Sequence, residues 1–429
     1  MTDRPLKQIH LAAHFPGVNN TTVWTDPAAG SQIAFESFRH LAATAERGRF
    51  DFLFLAEGLR LREVKGRIHD LDVLGRPESI TVLGALAAVT THLGLAATVN
   101  ATFNEPYELA RRFASLDHLS GGRAAWNVVT SSDAFTGENF RRGGYLDRAD
   151  RYTRAAEFVQ LAREFWDAAG TGTVRHQGPQ FDVEGTLSLP RPPQGHPVVI
   201  QAGDSDEGRE FAAATADVVF SRHSTLAAGQ AFHADVKRRL AAYGRKPDEL
   251  KIMPGVTWVL GDTEEEAVER AAAIRRAQVS PATTVAYLEQ VWGIDLSGHD
   301  VDGPLPEADP VRGSGLVQGR TSLGDPLEIA TEWRAVAAAK GLSSRELVIE
   351  VTGRQSFIGT PRSVAEQIDR HVQSDAADGF ILVPHLTPGG LDEFVDRVVP
   401  LLQERGVFRT EYTGTTLRDH LGLPVPGRR

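Results

Sequence analysis

Short, nearly uninterrupted apolar runs alternate with amphipathic stretches along most of the chain, and this rhythm limits its folds more than any other feature. The runs lie at residues 9–15, 52–56 (FLFLA), 93–99 (LGLAATV), 124–129 (AAWNVV), 197–202 (PVVIQA), 217–221 (DVVFS), 251–260 and 380–383. Runs of this kind are buried on both faces, which requires a parallel sheet covered by helical crossovers. The intervening stretches have helical spacing. Residues 33–47 place Ile33, Phe38, Leu41, Ala42 and Ala45 on one stripe. Residues 106–118 open on Pro106, whose missing N–H costs nothing in a first turn, and are followed by Gly121 and Gly122. Helices are likewise predicted over 80–91, 149–166, 206–216, 226–243, 264–278 and 391–405. Eight strand–helix units in series predict an α/β fold closed as a (β/α)8 TIM barrel, with an open doubly wound sheet as the alternative.

Two stretches break the rhythm. Residues 170–197, rich in Gly and Pro, predict a small β excursion. Residues 293–326 fall between the seventh and eighth units, where a long irregular segment is expected to act as a mobile lid over the site. No second hydrophobic core with its own linker and no internal repeat is legible, so 1–429 reads as a single barrel domain carrying these two insertions.

Composition then removes whole classes of function. The chain has no cysteine, which excludes disulfides, Cys-ligated metals and thiol nucleophiles together. Its net charge is −10 and its arginines are scattered among acids, an arrangement unsuited to nucleic acid or to an anionic membrane surface. Residues 1–8 are polar, with no apolar signal core, and no apolar run is long enough to span a bilayer, so a cytoplasmic location is expected.

In a barrel the ligand sits at the C-terminal ends of the strands. There the best local signal is Gln201-Ala-Gly203-Asp204-Ser205-Asp-Glu-Gly208. A buried strand runs into a glycine turn, then a serine at an N-cap position, then a helix, which is the order of a phosphate cradle. The same order also serves as an ordinary strand–helix loop with a good cap, and Asp204 puts a carboxylate beside the proposed dianion. Arg148 and Tyr152 are four apart at a helix start and share a face that could reach a phosphate or ring edge; the alternative is a solvated helix end. His10 and His14 have a metal-ligand spacing only on a helix. On a strand, four residues span roughly 13 Å, so no metal site is expected. No Gly-x-Gly-x-x-Gly follows a strand, and no Gly-x-Ser-x-Gly elbow occurs, which leaves a resident nicotinamide domain and a serine hydrolase site without support.

The run NEPYELARRFASLDHLSGGRAAWNVVTS at 104–131, the run RPPQGHPVVIQAG at 191–203 and the tail YTGTTLRDHL at 412–421 resemble the bacterial-luciferase-like flavin-dependent monooxygenases. Within them they are similar to the branch of nitrilotriacetate monooxygenase, dibenzothiophene-sulfone monooxygenase and the pristinamycin synthase large subunit. The resemblance implies a luciferase-like barrel that binds reduced FMN noncovalently, takes that flavin from a separate NAD(P)H:flavin reductase, and uses O2 to oxygenate a small organic substrate. A homodimer or homotetramer is expected. By the same resemblance Ser205 falls on the phosphate-binding serine, with Gly203 and Asp204 in its turn, Thr98 on a flavin-contacting position after the third strand, and Tyr152 on the tyrosine of a His-Asp-x-Arg-Tyr motif. Three positions depart from the family. The histidine of that motif is Arg148, the aspartate after the second strand is Glu57, and Gly-His-His before a tryptophan is Val18-Asn19-Asn20 before Trp24. Candidates for the substrate pocket are His14, Phe15, Asn19, Asn20, Trp24 and Asn127. The competing readings are an F420-dependent or other flavin oxidoreductase on the same barrel and a flavin-binding protein without turnover.

Overall fold

The computed structural model describes residues 5–16, 21–68, 77–131, 134–140, 150–223, 225–312, 316–318, 324–353 and 356–427. The eight apolar runs become strands β1 (His10–His14), β2 (Phe52–Leu55), β3 (Gly94–Asn100), β4 (Ala124–Val129), β5 (Val198–Gln201), β6 (Val218–Val219), β7 (Lys251–Ile252, resuming as Gly255–Leu260) and β8 (Gly379–Leu382). Each pairs in parallel with the next, and β8 pairs with both β7 and β1. The ring is therefore closed: the architecture is a (β/α)8 barrel. The barrel helices are α1 (Phe35–Arg47), α2 (Ser79–Ala87), α3 (Pro106–Ser120), α4 (Arg151–Ala168), α5 (Asp206–Thr215), α6 (Leu226–Arg239) and α7 (Glu264–Gln278). Ile33, expected on the first helical stripe, precedes α1 and is exposed.

Strand alternation sorts the side chains into two layers. Ala12, Phe52, Phe54, Ala96, Ala125, Val198, Ile200, Val218, Met253 and Ile381 fill the barrel interior. Leu11, Ala13, Phe15, Leu53, Leu55, Leu95, Trp126 and Val199 face the helices. The lower end of the interior is stoppered by the tail. Leu417 and Leu421, on the short helix Leu417–Leu421, and Leu423 join the interior cluster. A Cβ on Gly94 would stand 2.7 Å from Leu417 Cδ1, so the floor of β3 needs glycine to admit this plug. Arg418 secures it from within, donating to the buried Asp217 at 2.9 Å and to His196 O at 3.0 Å, and Arg409 donates to Asp51 at 2.6 Å.

The motifs that carry the family resemblance prove to be braces of this lower half. Arg123, 3% exposed, donates to the carbonyls of Ser120, Leu93, Ala87 and Thr90 and to Thr90 Oγ1, tying the end of α2 to α3 and β3. The Gln194 amide donates to Asp117 Oδ1 at 2.6 Å and to Ala124 O at 2.8 Å, and His196 and Arg191 both meet Asp167.

His420, buried in the plug, makes folding depend on pH. Burial pulls its pKa from the usual 6.5 down to about 4. Between those values the unfolded chain takes up a proton that the folded chain refuses, so stability falls as pH falls through this window. Its contribution is about 3 kcal/mol. In denaturant unfolding at pH 7 and pH 4, wild type is expected to lose about that much more stability than His420→Phe. Equal losses would show that this imidazole is not a source of acid lability.

The insertions differ from expectation in one respect. Residues 170–197 do carry the small β excursion, an antiparallel hairpin of Val174–Gln177 and Asp182–Gly185. The second insertion is longer than the irregular stretch 293–326 and has a core that sequence reading did not find. Helices α8 (Pro281–Trp292), α9 (Pro326–Lys340) and α10 (Ser344–Val351) enclose Leu288, Val291, Trp292, Leu305, Ala330, Trp333, Leu347 and Val348. Residues 293–312, expected as part of a mobile lid, are instead fastened to these helices: Val311 N donates to Trp292 O, Trp292 Nε1 to Ala308 O, and Ser344 N to Gly303 O, each at 2.8 Å. Further on, Val317–Gln318 pairs antiparallel with Glu63–Val64 in the loop after β2, which turns back through Lys65 and Gly66, both at positive φ, to Arg67–Ile68. Lys65 Nζ binds the buried Glu289 at 2.7 Å and Asp295 at 2.6 Å, so the described part of the segment is a pinned wall. Among the described residues no helix is long and apolar enough to cross a membrane.

Candidate active site

The phosphate-cradle motif folds as its residues dictate. Ser205 caps α5, its Oγ accepting from Gly208 N at 3.1 Å. The turn packs too tightly for side chains: a Cβ on Gly208 would lie 3.1 Å from Tyr152 Oη and 3.2 Å from Gly203, and one on Gly203 would lie 2.7 Å from Gln201 Nε2. Tyr152, at the start of α4, comes from 53 residues away to place its hydroxyl 3.4 Å from Ser205 Oγ. Beneath the turn, the Gln201 side chain is 2% exposed, and its Oε1 is buried without a hydrogen-bond partner among the described residues. A capped helix start and a converging phenol together suit an anion, whereas the unsatisfied Gln201 Oε1 is an acceptor and calls for a donor. Asp204 stands open to solvent on one side, but the chain around it desolvates its carboxyl and raises its pKa, against the pull of Arg209 and Arg222.

Across the mouth, polar side chains replace the apolar filling of the lower barrel. Thr98 and Asn127 are register partners on β3 and β4, and Asn127 Nδ2 donates to Thr98 Oγ1 at 3.0 Å. Asn127 Oδ1 and, two residues above Thr98, Asn100 Nδ2 are buried without partners among the described residues. Glu57 accepts from Asn100 N at 3.1 Å and so braces the end of β2 against β3. The floor is aromatic: His14 lies against Phe54, ring centroids 5.3 Å apart, and Phe54 stacks on Phe220 at 5.8 Å. Gly255 makes room for the Phe220 ring, which a Cβ would meet at 2.6 Å.

Not every expected residue reaches the mouth. Phe15 points outward, 6% exposed and stacked on Phe38 of α1 at 4.0 Å, because it follows the inward-facing His14 by one residue. Trp24 lies in the loop that crosses the end of β8, where Val23 N donates to His385 O at 2.8 Å; its Nε1 is buried without a partner among the described residues. Arg148, Asn19 and Asn20 lie outside the described residues. His385, three residues beyond β8, falls in the strand-end stretch 383–385 to which the sequence directs attention without giving it a role, and it lines two adjacent cavities of about 270 and 220 Å³. Burial chiefly, and Arg270, push its pKa down, while Asp26 and Glu393 oppose the shift, so the imidazole is neutral at pH 7. A larger groove of about 730 Å³, between α4 and the 174–185 hairpin, lies on the barrel's flank, away from the strand ends where the unsatisfied polar groups gather.

Comparisons with known proteins place the chain among its relatives. The family described as luciferase-like monooxygenase matches residues 17–379. Nitrilotriacetate monooxygenase component A of Aminobacter aminovorans is 42% identical, over 94% of this chain and 93% of its own length. Dibenzothiophene-sulfone monooxygenase of Rhodococcus erythropolis (strain XP) is 39% identical over 98% of both. Among solved structures, a riboflavin lyase with modified FMN and riboflavin superposes with a TM-score of 0.79 at 30% identity, covering 98% of this chain and 97% of the other.

Proposed function

Because the chain belongs to the luciferase-like monooxygenase family and is a flavin-dependent monooxygenase, we propose that it is the oxygenase component of a two-component system, working on reduced FMN that a separate reductase supplies. The observation that carries the FMN reading is the convergence of Tyr152 Oη, Ser205 Oγ and the first turn of α5 over two bare glycines. Phosphate oxygens held there would leave the ring system over the polar mouth, where Asn127 Oδ1 and Asn100 Nδ2 offer buried hydrogen-bonding atoms. Bound reduced FMN supplies the electrons that let O2 oxygenate a substrate; the protein's part is to bind, orient and keep water out. His14, Phe54 and Phe220 close the floor, and the pinned wall of residues 293–312 and 316–318, with the loop after β2, shields one side.

The relatives act on chemically unlike compounds, a polycarboxylate and a sulfone by their names, so they leave the substrate open. A homodimer or homotetramer fits the outer surface of α2: the stretch 79–91 carries no charge, and Thr81, Ala85, Ala88 and Val89 are exposed.

Ser205→Ala tests the cofactor site. Losing a hydrogen bond to a charged phosphate should weaken FMN binding by about 1.5–3 kcal/mol, roughly 10- to 100-fold in Kd by flavin fluorescence. Wild-type affinity in this variant would remove the assignment.

A further inference from the structure

Beside the end of β8, where His385 lines it, lies a chamber of about 270 Å³ with a cation that has no counter-ion among the described residues. One wall is the shared face of Thr257 and Val259 on β7 and their register partners Ser356 and Ile358 on the adjoining strand; α7 lies against it and brings Arg275. The Arg275 guanidinium donates to Gln278 Oε1 at 2.8 Å, Ile349 O at 2.9 Å and Thr352 Oγ1 at 3.0 Å. All three acceptors are neutral, and no carboxylate pairs with Arg275 among the described residues. Glu350, the carboxylate on the chamber's rim, is held by Lys340. The contrast with α6 is plain: Arg239 alone gathers Asp206, Glu210 and Asp235. Burial lowers the pKa of Arg275, the expected response of a desolvated cation without a balancing charge, yet a guanidinium keeps its proton in a protein. Its hydrogen bonds use three of its five N–H groups and leave two for a ligand.

The opposite side of the chamber is polar and unfilled. Gln278, which accepts from Arg275, donates through its amide to Thr21 O, joining the cation to the loop after β1. His385 lines the same space at the barrel end, and its imidazole makes no hydrogen bond among the described residues. A cavity with a fixed cation at one end, the one cation lining it among the described residues, and an uncharged hydrogen-bonding ring at the other is built for an anion carried on a small organic molecule. Of the common small anions, the planar carboxylate suits a guanidinium best without demanding the several donors that a phosphate needs.

We infer that this chamber holds a carboxylate group of the substrate, so that the substrate is a small organic acid whose acid arm meets Arg275 while the remainder stays at the mouth. The inference rests on the monooxygenase reading of the mouth and adds the chemical class of what is oxygenated.

Succinate and its uncharged diamide, succinamide, separate the possibilities by titration calorimetry on the wild-type protein with and without FMN. Succinate should bind at least tenfold more tightly than succinamide, the discrimination due to about one charge-assisted hydrogen bond. Arg275→Gln should weaken succinate about 10- to 100-fold and leave succinamide unchanged, and Arg275→Lys should recover part of the loss. Equal affinity of wild type for the two probes overturns the inference and needs no variant to fold. A lower melting temperature in Arg275→Gln with succinate selectivity intact also overturns it, leaving Arg275 as a clamp on the end of α10. FMN affinity, followed in the same samples, reports on the flavin site separately: its failure with carboxylate selectivity retained would sink the FMN reading and spare the chamber.

Discussion

The purified protein, given NADH or NADPH, FMN and air, is expected to oxidise no nicotinamide above the buffer rate. With an NAD(P)H:flavin reductase and a true substrate present, oxygen uptake should begin, at turnover on the order of 1–10 per second. The chain has no strand–Gly-x-Gly-x-x-Gly–helix unit to hold a dinucleotide, and the cradle at Ser205 is committed to FMN by the proposed reading. Reduction and oxygenation are then separate events on separate proteins, and the barrel receives flavin already reduced. An oxygen electrode run with and without reductase decides the matter. Rapid nicotinamide oxidation by the isolated chain would end the two-component reading while leaving the flavin site untouched.

The second large effect is expected far from the chemistry. Arg123→Met should cost about 3–5 kcal/mol, a large part of the stability of an ordinary domain. Methionine fills much of the same space but donates no hydrogen bond. Four carbonyls, those of Ser120, Leu93, Ala87 and Thr90, would be left buried and unsatisfied at the junction of α2, α3 and β3. Because this junction lies at the foot of β3 and the flavin groups at its top, FMN affinity per folded molecule should change little. Urea unfolding monitored by tryptophan fluorescence measures the loss. A loss under 1 kcal/mol would mean that water or neighbouring groups satisfy those carbonyls in the variant.

The barrel was legible because its strands are buried on both faces. Runs such as FLFLA at 52–56 admit no other element, and their number gave the ring. The phosphate cradle was legible because it is local, a strand, a glycine turn, a cap and a helix in unbroken order. What escaped was the second core. Its apolar side chains, among them Leu288, Trp292, Leu305, Trp333 and Leu347, are spread over about sixty residues and converge only when α8, α9 and α10 pack together. No window of helical length displays them, and the Gly and Pro of the stretch between suggest a mobile lid where residues 293–312 are fastened to these helices. Phe15 shows a finer limit. Sequence places it at a strand's end, but whether such a residue faces the ligand or the helices turns on a single position of register, and His14 has the inward one. His385 lies in a strand-end stretch that the sequence marks for attention, but it was given no role. It has no motif around it, and only the arrival of the loop from β1 and the cavities on either side mark it as a group with something to do.

The tail plug sets an order of events during synthesis. A chain made from its N-terminus tends to fold domain by domain as it emerges, yet here the first strand must wait for nearly the last. β1 finds one neighbour in β2 within about forty residues, but its other neighbour, β8, is more than 360 residues away, and the leucines that fill the base of the interior follow later still. Until residues 417–423 leave the ribosome, the inner faces of β2, β3 and β4 lie against an unfilled space and Asp217 lacks the arginine that neutralises it. The nascent barrel is therefore an open, sticky sheet for most of its time on the ribosome, and a chain cut before residue 417 lacks the leucines that seal it.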